Sequence, residues 1–345
     1  MLTKGYAATS AATPLAPFAF ERRTPGDRDV HITIDFCGIC HSDIHSAKNE
    51  WGMTTYPFVP GHEIIGRVVK TGKGVKKVRE GQRVGVGCFV NSCRTCGSCK
   101  AGHENYCETG MIMTYGSVDR DGTPTFGGYS RDIVVDEHFV LTIPEGLDPA
   151  GAAPLLCAGI TTYSPLREVG LTKGSRVAVM GLGGLGHMGV KLAASFGADV
   201  TVVSRSPEKE ADAKRLGAHD FVLTTKAGAL DPLAGRYDAI LDTISAKHDL
   251  TPVLNCLKAH GTLILVGASP EALEFSALPL IFGNRKIVGS LVGGIPETQE
   301  MLEHCGKHKI TSDIELVRPD QINEAFERTT RGDVKYRFVI DCTKF

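Results

Sequence analysis

The sequence has almost no net charge and one tryptophan: 38 Lys and Arg stand against 39 Asp and Glu in 345 residues, leaving −1. Tracking a phosphate backbone or an anionic bilayer takes an excess of basic charge, so neither nucleic acid nor a membrane is expected as a partner. Also missing is any run of 18 apolar residues, and the first stretch, MLTKGYAATSAATPLAPF, has no apolar core of secretory length. A cytoplasmic protein acting on small molecules is expected. No internal repeat and no low-complexity segment occurs. Nor is cysteine used as in exported chains: there are eleven, an odd number, and several, Cys37, Cys256, Cys305 and Cys342, lie in apolar or helical contexts outside the four-cysteine loop. That argues against a disulfide framework, and in a reducing compartment grouped thiols more often hold metal.

Apolar material, by contrast, is ample at 42%, and the length suits two domains. Residues 30 to 140 carry short β-branched runs (HITIDF, GRVVKTG, GQRVGVG, SRDIVVD) separated by turn residues, the pattern of a twisted antiparallel or barrel-like domain. From Gly174 the rhythm changes. RVAVMG, DVTVVS, HDFVLT, YDAILDT, GTLILVG and RKIVGSLV are apolar strand candidates, each a helix's length from the next. Such alternation implies a six-stranded parallel sheet covered on both faces. PETQEMLEHCGKH and DQINEAFERTTRG read as helices, and the last strand, KYRFVID, has no place in that sheet and is expected to return to the first domain.

In RVAVMGLGGLGHMGVKLAASFGADVTVVSRS a strand runs through Gly181, Leu182, Gly183, Gly184, Leu185 and Gly186 into a helical pattern. This is the setting a dinucleotide fingerprint requires: Gly181 for the tight turn, Gly183 for close approach to the pyrophosphate, Gly186 for helix packing. The helix N-terminus adds free N–H groups. At the end of the second strand, where a carboxylate would grip the ribose of NAD, stand Ser204, Arg205 and Ser206, with Lys209 one turn later. NADP(H) over NAD(H) follows, because a charge-assisted bond to the 2′-phosphate is worth roughly ten-fold in affinity or more.

Cys93, Cys96 and Cys99 are evenly spaced and Cys107 follows in the same loop, NSCRTCGSCKAGHENYC. Four thiolates with no open position suit a structural zinc, while iron–sulfur ligation and free thiols stay open on spacing alone. A second, dispersed group comprises CGICHSDIH, PGHEIIG and PLLCAGITTY. A catalytic zinc needs three protein ligands and one open position; Cys40, His62 and Cys157 would supply them, although spacing does not choose them from Cys37, His41 and His45.

These segments, with GLGGLG, occur in this order in the zinc-dependent medium-chain alcohol dehydrogenases. Over nearly its full length the chain resembles their cinnamyl alcohol dehydrogenase branch, including bacterial NADPH-dependent aldehyde reductases. The resemblance implies two zinc ions per chain: Cys40, His62 and Cys157 on the catalytic one, with Glu63 as an alternate ligand, and Cys93, Cys96, Cys99 and Cys107 on the structural one. It places Asp43 against His62, His41 near the cofactor pyrophosphate, Ser42 at the start of a proton relay and His45 at its outer end. Trp51 and Phe89 would wall a pocket for aromatic or medium aliphatic aldehydes. The fold implied is a GroES-like catalytic domain, residues 1–149 and 296–345, with a Rossmann doubly wound domain, 150–295. Members of the family pair through the last Rossmann strand, here RKIVGSLVGG, so a homodimer is expected. The alternatives are a polyol or threonine dehydrogenase of the same superfamily, which a substrate panel separates, and a non-catalytic zinc and NADP-binding module. Against the second stand the neutral charge and the complete second metal set.

Overall fold

A computed structural model describes residues 1–269 and 271–345. Internal contacts divide the chain into two compact units, Met1–Ile160 with Gly293–Phe345, and Thr161–Val292. Residues 150–160, expected with the nucleotide-binding part, cluster with the first unit, because the turn Ala153–Leu156 packs on the strands Asp29–Gly38, Ile64–Thr71 and Arg83–Val86.

The first unit is built on a seven-stranded sheet. Its order is Ile314–Val317, Arg337–Asp341, Asp29–Gly38, Ile64–Thr71, Arg83–Val86 and Leu141–Thr142, with Asp132–Asp136 pairing alongside Asp29–Gly38. Val30, Ile32 and Ile34 alternate into the core with no exposed surface, as a half-buried strand of period two requires. The closing strand lies antiparallel to Asp29–Gly38, pairing Val339 with Gly38 and Asp341 with Phe36. It carries Arg337 into the interior, where the guanidinium is 5% exposed.

The second unit is a six-stranded parallel sheet in the order Asp220–Leu223, Asp199–Ser204, Arg176–Met180, Tyr237–Asp242, Leu257–Leu265, Lys286–Gly289. The chain enters at the middle, winds to one edge, then returns to fill the other side. The strand order therefore reverses between Arg176–Met180 and Tyr237–Asp242, the place where open α/β sheets take ligands at their carboxyl ends. Val177, Val179, Val200, Val202, Leu241 and Ile264 are wholly buried, which explains why these strands read as continuous apolar runs. The run RKIVGSLV is strand only over Lys286–Gly289; residues 290–292 leave the sheet. Helices Ile295–His308 and Ile322–Thr330 occupy the two helical patterns. Among the described residues no helix is long and apolar enough to cross a membrane.

Candidate functional site

Cys93, Cys96, Cys99 and Cys107 converge so that their sulfurs lie within 4.8 Å of one another. The turns that bring them together also aim backbone N–H groups at sulfur. Thr95 and Cys96 donate to Cys93 Sγ at 3.5 and 3.3 Å, Cys99 to Cys96 Sγ at 3.4 Å, and Cys93 to Cys107 Sγ at 3.3 Å. Such donors stabilise thiolate, and those of Thr95 and Cys96 bring Cys93 down to about 5. Burial pushes Cys99 the other way, to about 12. A cation at the centre would hold all four as thiolates, and the all-sulfur, closed donor set fits zinc.

The second cluster joins Cys40, His62, Glu63 and Cys157, again within 4.8 Å. Cys40 caps the short helix His41–Ala47, His62 and Glu63 precede the strand Ile64–Thr71, and Cys157 follows the turn Ala153–Leu156. Asp43, with no exposed surface, organises the approach. Its carboxylate accepts Cys40 N at 2.8 Å, Gly61 N at 3.0 Å, His62 Nδ1 at 3.1 Å and the Tyr129 hydroxyl at 3.2 Å. With Nδ1–H committed, His62 presents Nε2 as its free lone pair, the tautomer a metal ligand needs. The sulfurs of Cys40 and Cys157 stand 4.0 Å apart; their contact holds Cys40 well below the ordinary thiol range and Cys157 well above it, as one proton shared between two sulfurs requires.

Glu63 is fully buried. One oxygen meets Arg337, whose guanidinium also donates to Ile39 O at 2.9 and 3.1 Å, and the other oxygen, Oε2, has no hydrogen-bond partner. Burial raises Glu63 to about 7, against the pull of Arg337. An unpartnered buried carboxylate oxygen beside two sulfurs and an imidazole is what a cation would satisfy. The donors therefore fit a zinc held by Cys40, His62 and Cys157, with Glu63 in reach of the cluster.

Around this cluster, Ser42 Oγ lies 3.6 Å from Cys40 Sγ. His45 pairs through Nδ1 with the Glu50 carboxylate, and its ring faces Trp51 at 5.2 Å between centroids. His41 is exposed, and Trp51 is 39% exposed. Phe89 corrects its expected place in a pocket wall: it is 4% exposed and packs edge-on against Phe139, a core position. Sequence reasoning missed Glu50, Arg337 and Tyr115, whose ring meets His62 edge-on at 5.4 Å. Only Arg337 left a signal, as a cation inside the apolar strand pattern KYRFVID.

In the second unit, Gly181 takes φ +85°, and its N–H donates to Val203 O at 2.9 Å. A side chain at Gly186, the first residue of the helix Gly186–Ser195, would overlap the Gly181 carbonyl. Both glycines are thus required where the turn folds back on the helix. Gly183, Gly184 and Leu185 form the rest of the turn. Beside it, Ser204 Oγ accepts Ser206 N at 3.2 Å, Arg205 is exposed, and Lys209 Nζ donates to Leu182 O at 2.9 Å, tying the turn to the chain that follows Asp199–Ser204.

Residues 26–145 match the family described as alcohol dehydrogenase GroES-like domain, and residues 184–307 the family described as zinc-binding dehydrogenase. NADP-dependent alcohol dehydrogenase C 1 of Mycolicibacterium smegmatis is 56% identical over 337 residues, covering 97% of each chain. A cinnamyl alcohol dehydrogenase of Sorghum bicolor has a similar structure, with a TM-score of 0.97 at 47% identity over 99% of this chain and 98% of its own. The cinnamyl alcohol dehydrogenase of Helicobacter pylori, solved with NADP(H), gives 0.94 at 44% identity over 100% and 99%.

Proposed function

The chain belongs to the zinc-dependent medium-chain alcohol dehydrogenases of the cinnamyl alcohol dehydrogenase branch, and on that footing we propose that it reduces aromatic and medium aliphatic aldehydes with NADPH. The observation that carries the reading is the Cys40, His62 and Cys157 set, in which His62 has one nitrogen committed and one free and Glu63 keeps an oxygen without a partner.

When bound, zinc supplies a Lewis acid to the aldehyde oxygen and NADPH the hydride to its carbon. The chain does the rest. Asp43 fixes the His62 ring and, through Cys40 N, the start of the helix that carries the relay. Ser42, beside Cys40, gives its hydroxyl proton to the forming alcohol oxygen, and His45, held at Nδ1 by the Glu50 carboxylate, stands at the outer end of the relay that draws the replacement proton from solvent. Cys93, Cys96, Cys99 and Cys107 hold the structural zinc. Arg205, with Ser204, Ser206 and Lys209, takes the 2′-phosphate, and His41 lies toward the pyrophosphate. Trp51 supplies apolar surface for the substrate.

Pairing of two copies belongs to the same proposal. Lys286–Gly289 is an edge strand, and beside it the helix Leu278–Gly283 exposes Ile281 by 69% and Phe282 by 85%. Cytoplasmic residence is proposed because sulfur ligands must stay reduced to hold metal.

Steady-state kinetics with cinnamaldehyde and benzaldehyde, against sorbitol and threonine, test the reading. Aldehyde reduction with NADPH preferred over NADH is expected, and Arg205→Ala should erase that preference by roughly ten-fold or more. Oxidation of sorbitol or threonine with aldehydes left untouched would refute the substrate class.

A further inference from the structure

Beyond the glycine turn, the dinucleotide end of the second unit holds a buried carboxylate that the reaction does not use. Asp242 closes the strand Tyr237–Asp242 and is 2% exposed. Oδ1 accepts Ile244 N at 3.0 Å, and Oδ2 meets His248 Nε2 at 2.8 Å. The other ring nitrogen, His248 Nδ1, lies 2.9 Å from the carbonyl of Ala246. A carbonyl oxygen can only accept, and an ionised carboxylate can only accept. Both ring nitrogens must then donate, which only the imidazolium does.

The loop closed by this ring bears directly on the glycine turn. Thr243 donates to Met180 O through both N, at 3.1 Å, and Oγ1, at 2.7 Å, and Met180 is the residue immediately before Gly181. On the other side the backbone of Ile244 leaves no room for a side chain at Gly267, where the next strand ends. Residues 243 and 244 are thus seated between the glycine turn and the neighbouring strand end, and the Asp242–His248 contact closes the loop that carries them.

We propose that His248, held as an imidazolium between Asp242 and Ala246, is a positioning residue that keeps the loop after Tyr237–Asp242 clasped to Met180 and so sets the Gly181 turn for NADPH. The proposal rests on the reading that this turn binds NADPH. The charged groups around the ring are few. Asp242 faces it from the strand end and favours the charged form, while Arg205, from the loop after Asp199–Ser204, opposes it. Lys247 and Asp249 on its own loop and Glu274 opposite share its shallow hollow, with Lys247 and Glu274 paired to each other at 2.7 Å. The balance raises His248 above the ordinary histidine value, chiefly through the Asp242 hydrogen bond. A raised value means that the clasp is complete below the ordinary histidine range and is lost as pH climbs through the shifted one.

Two measurements on the full-length, zinc-loaded protein decide the matter. The first is nitrogen-15 NMR of the histidine rings without cofactor: His248, assigned by its loss in His248→Gln, should show two protonated nitrogens at neutral pH and lose the second proton only above the ordinary histidine range. A neutral ring at pH 7 would overturn the proposal whatever the variant does. The second is NADPH fluorescence titration from pH 7 to 9.5, where the cofactor phosphates no longer titrate. Wild type should weaken by about five-fold across the range, and His248→Gln should start weaker and stay flat, with KM for NADPH moved and kcat held. Equal pH dependence in both proteins would also overturn it. Failure of wild type to bind NADPH at any pH would instead remove the cofactor reading beneath it, leaving the NMR result to stand or fall separately.

Discussion

Asp43 shows how much one side chain can organise. Four donors from three separated segments end on its two oxygens, and one of them is Nδ1 of His62, which leaves Nε2 free for a metal. Asp43→Asn would offer an amide N–H where two donors now converge, turning the His62 ring or forcing its other tautomer. Such partners typically govern metal affinity by 10- to 100-fold. Zinc titration against a competing chelator should therefore show the catalytic ion bound roughly 10- to 100-fold more weakly, while the four-cysteine site keeps its ion. Unchanged affinity would mean that Asp43 only fills space. At this scale the sequence revealed donors better than their partners. Cys40, His62 and Cys157 were singled out from their neighbours by the family resemblance, but Arg337 lies 274 residues from Glu63 along the chain, and no local pattern joins them. Phe89 misled for the opposite reason: an aromatic after a glycine turn looks the same whether it faces ligand or core.

At the level of elements, strands were easiest to read, because burial on both faces writes an unbroken apolar run and burial on one face writes an alternation. Their ends were harder. The run RKIVGSLV overstated its strand by including residues 290–292, which stay apolar outside the sheet. The link between the four-cysteine loop and the helix Ile295–His308 left no local sign at all. Glu104, 2% exposed, accepts the N–H of Ile295 at 3.0 Å, the first residue of that helix, and His138 Nε2 at 2.8 Å. Although burial pushes its carboxyl up, His138 and Ile295 overcome it and hold Glu104 below the usual range. A depressed carboxyl contributes stability that is fully present above the ordinary glutamate value and is lost as pH falls through the depressed one. Glu104→Gln should cost about 1–3 kcal/mol at neutral pH by denaturant unfolding. The difference from wild type should shrink in acid, and a difference constant down to pH 3 would contradict the role given to the charge.

For the molecule as a whole, the neutral charge, the two metal clusters and the change of rhythm at Gly174 made the class legible, whereas the proposed pairing of two copies rests on the family resemblance and an edge strand. Ile281 and Phe282 make the pairing testable: Ile281→Asp with Phe282→Asp should give a monomer in sedimentation velocity, and an unchanged mass would send the interface elsewhere. The central claim concerns the two ions. One donor set consists of four sulfurs, and in the proposed reading the other keeps three ligands and a position open to substrate, so a chelator should reach the second first. The most direct measurement follows zinc content and NADPH-dependent cinnamaldehyde reduction together during chelation. Activity should vanish as the count falls from two ions to one and return when one equivalent of zinc is restored; full activity in the one-zinc protein would contradict the account.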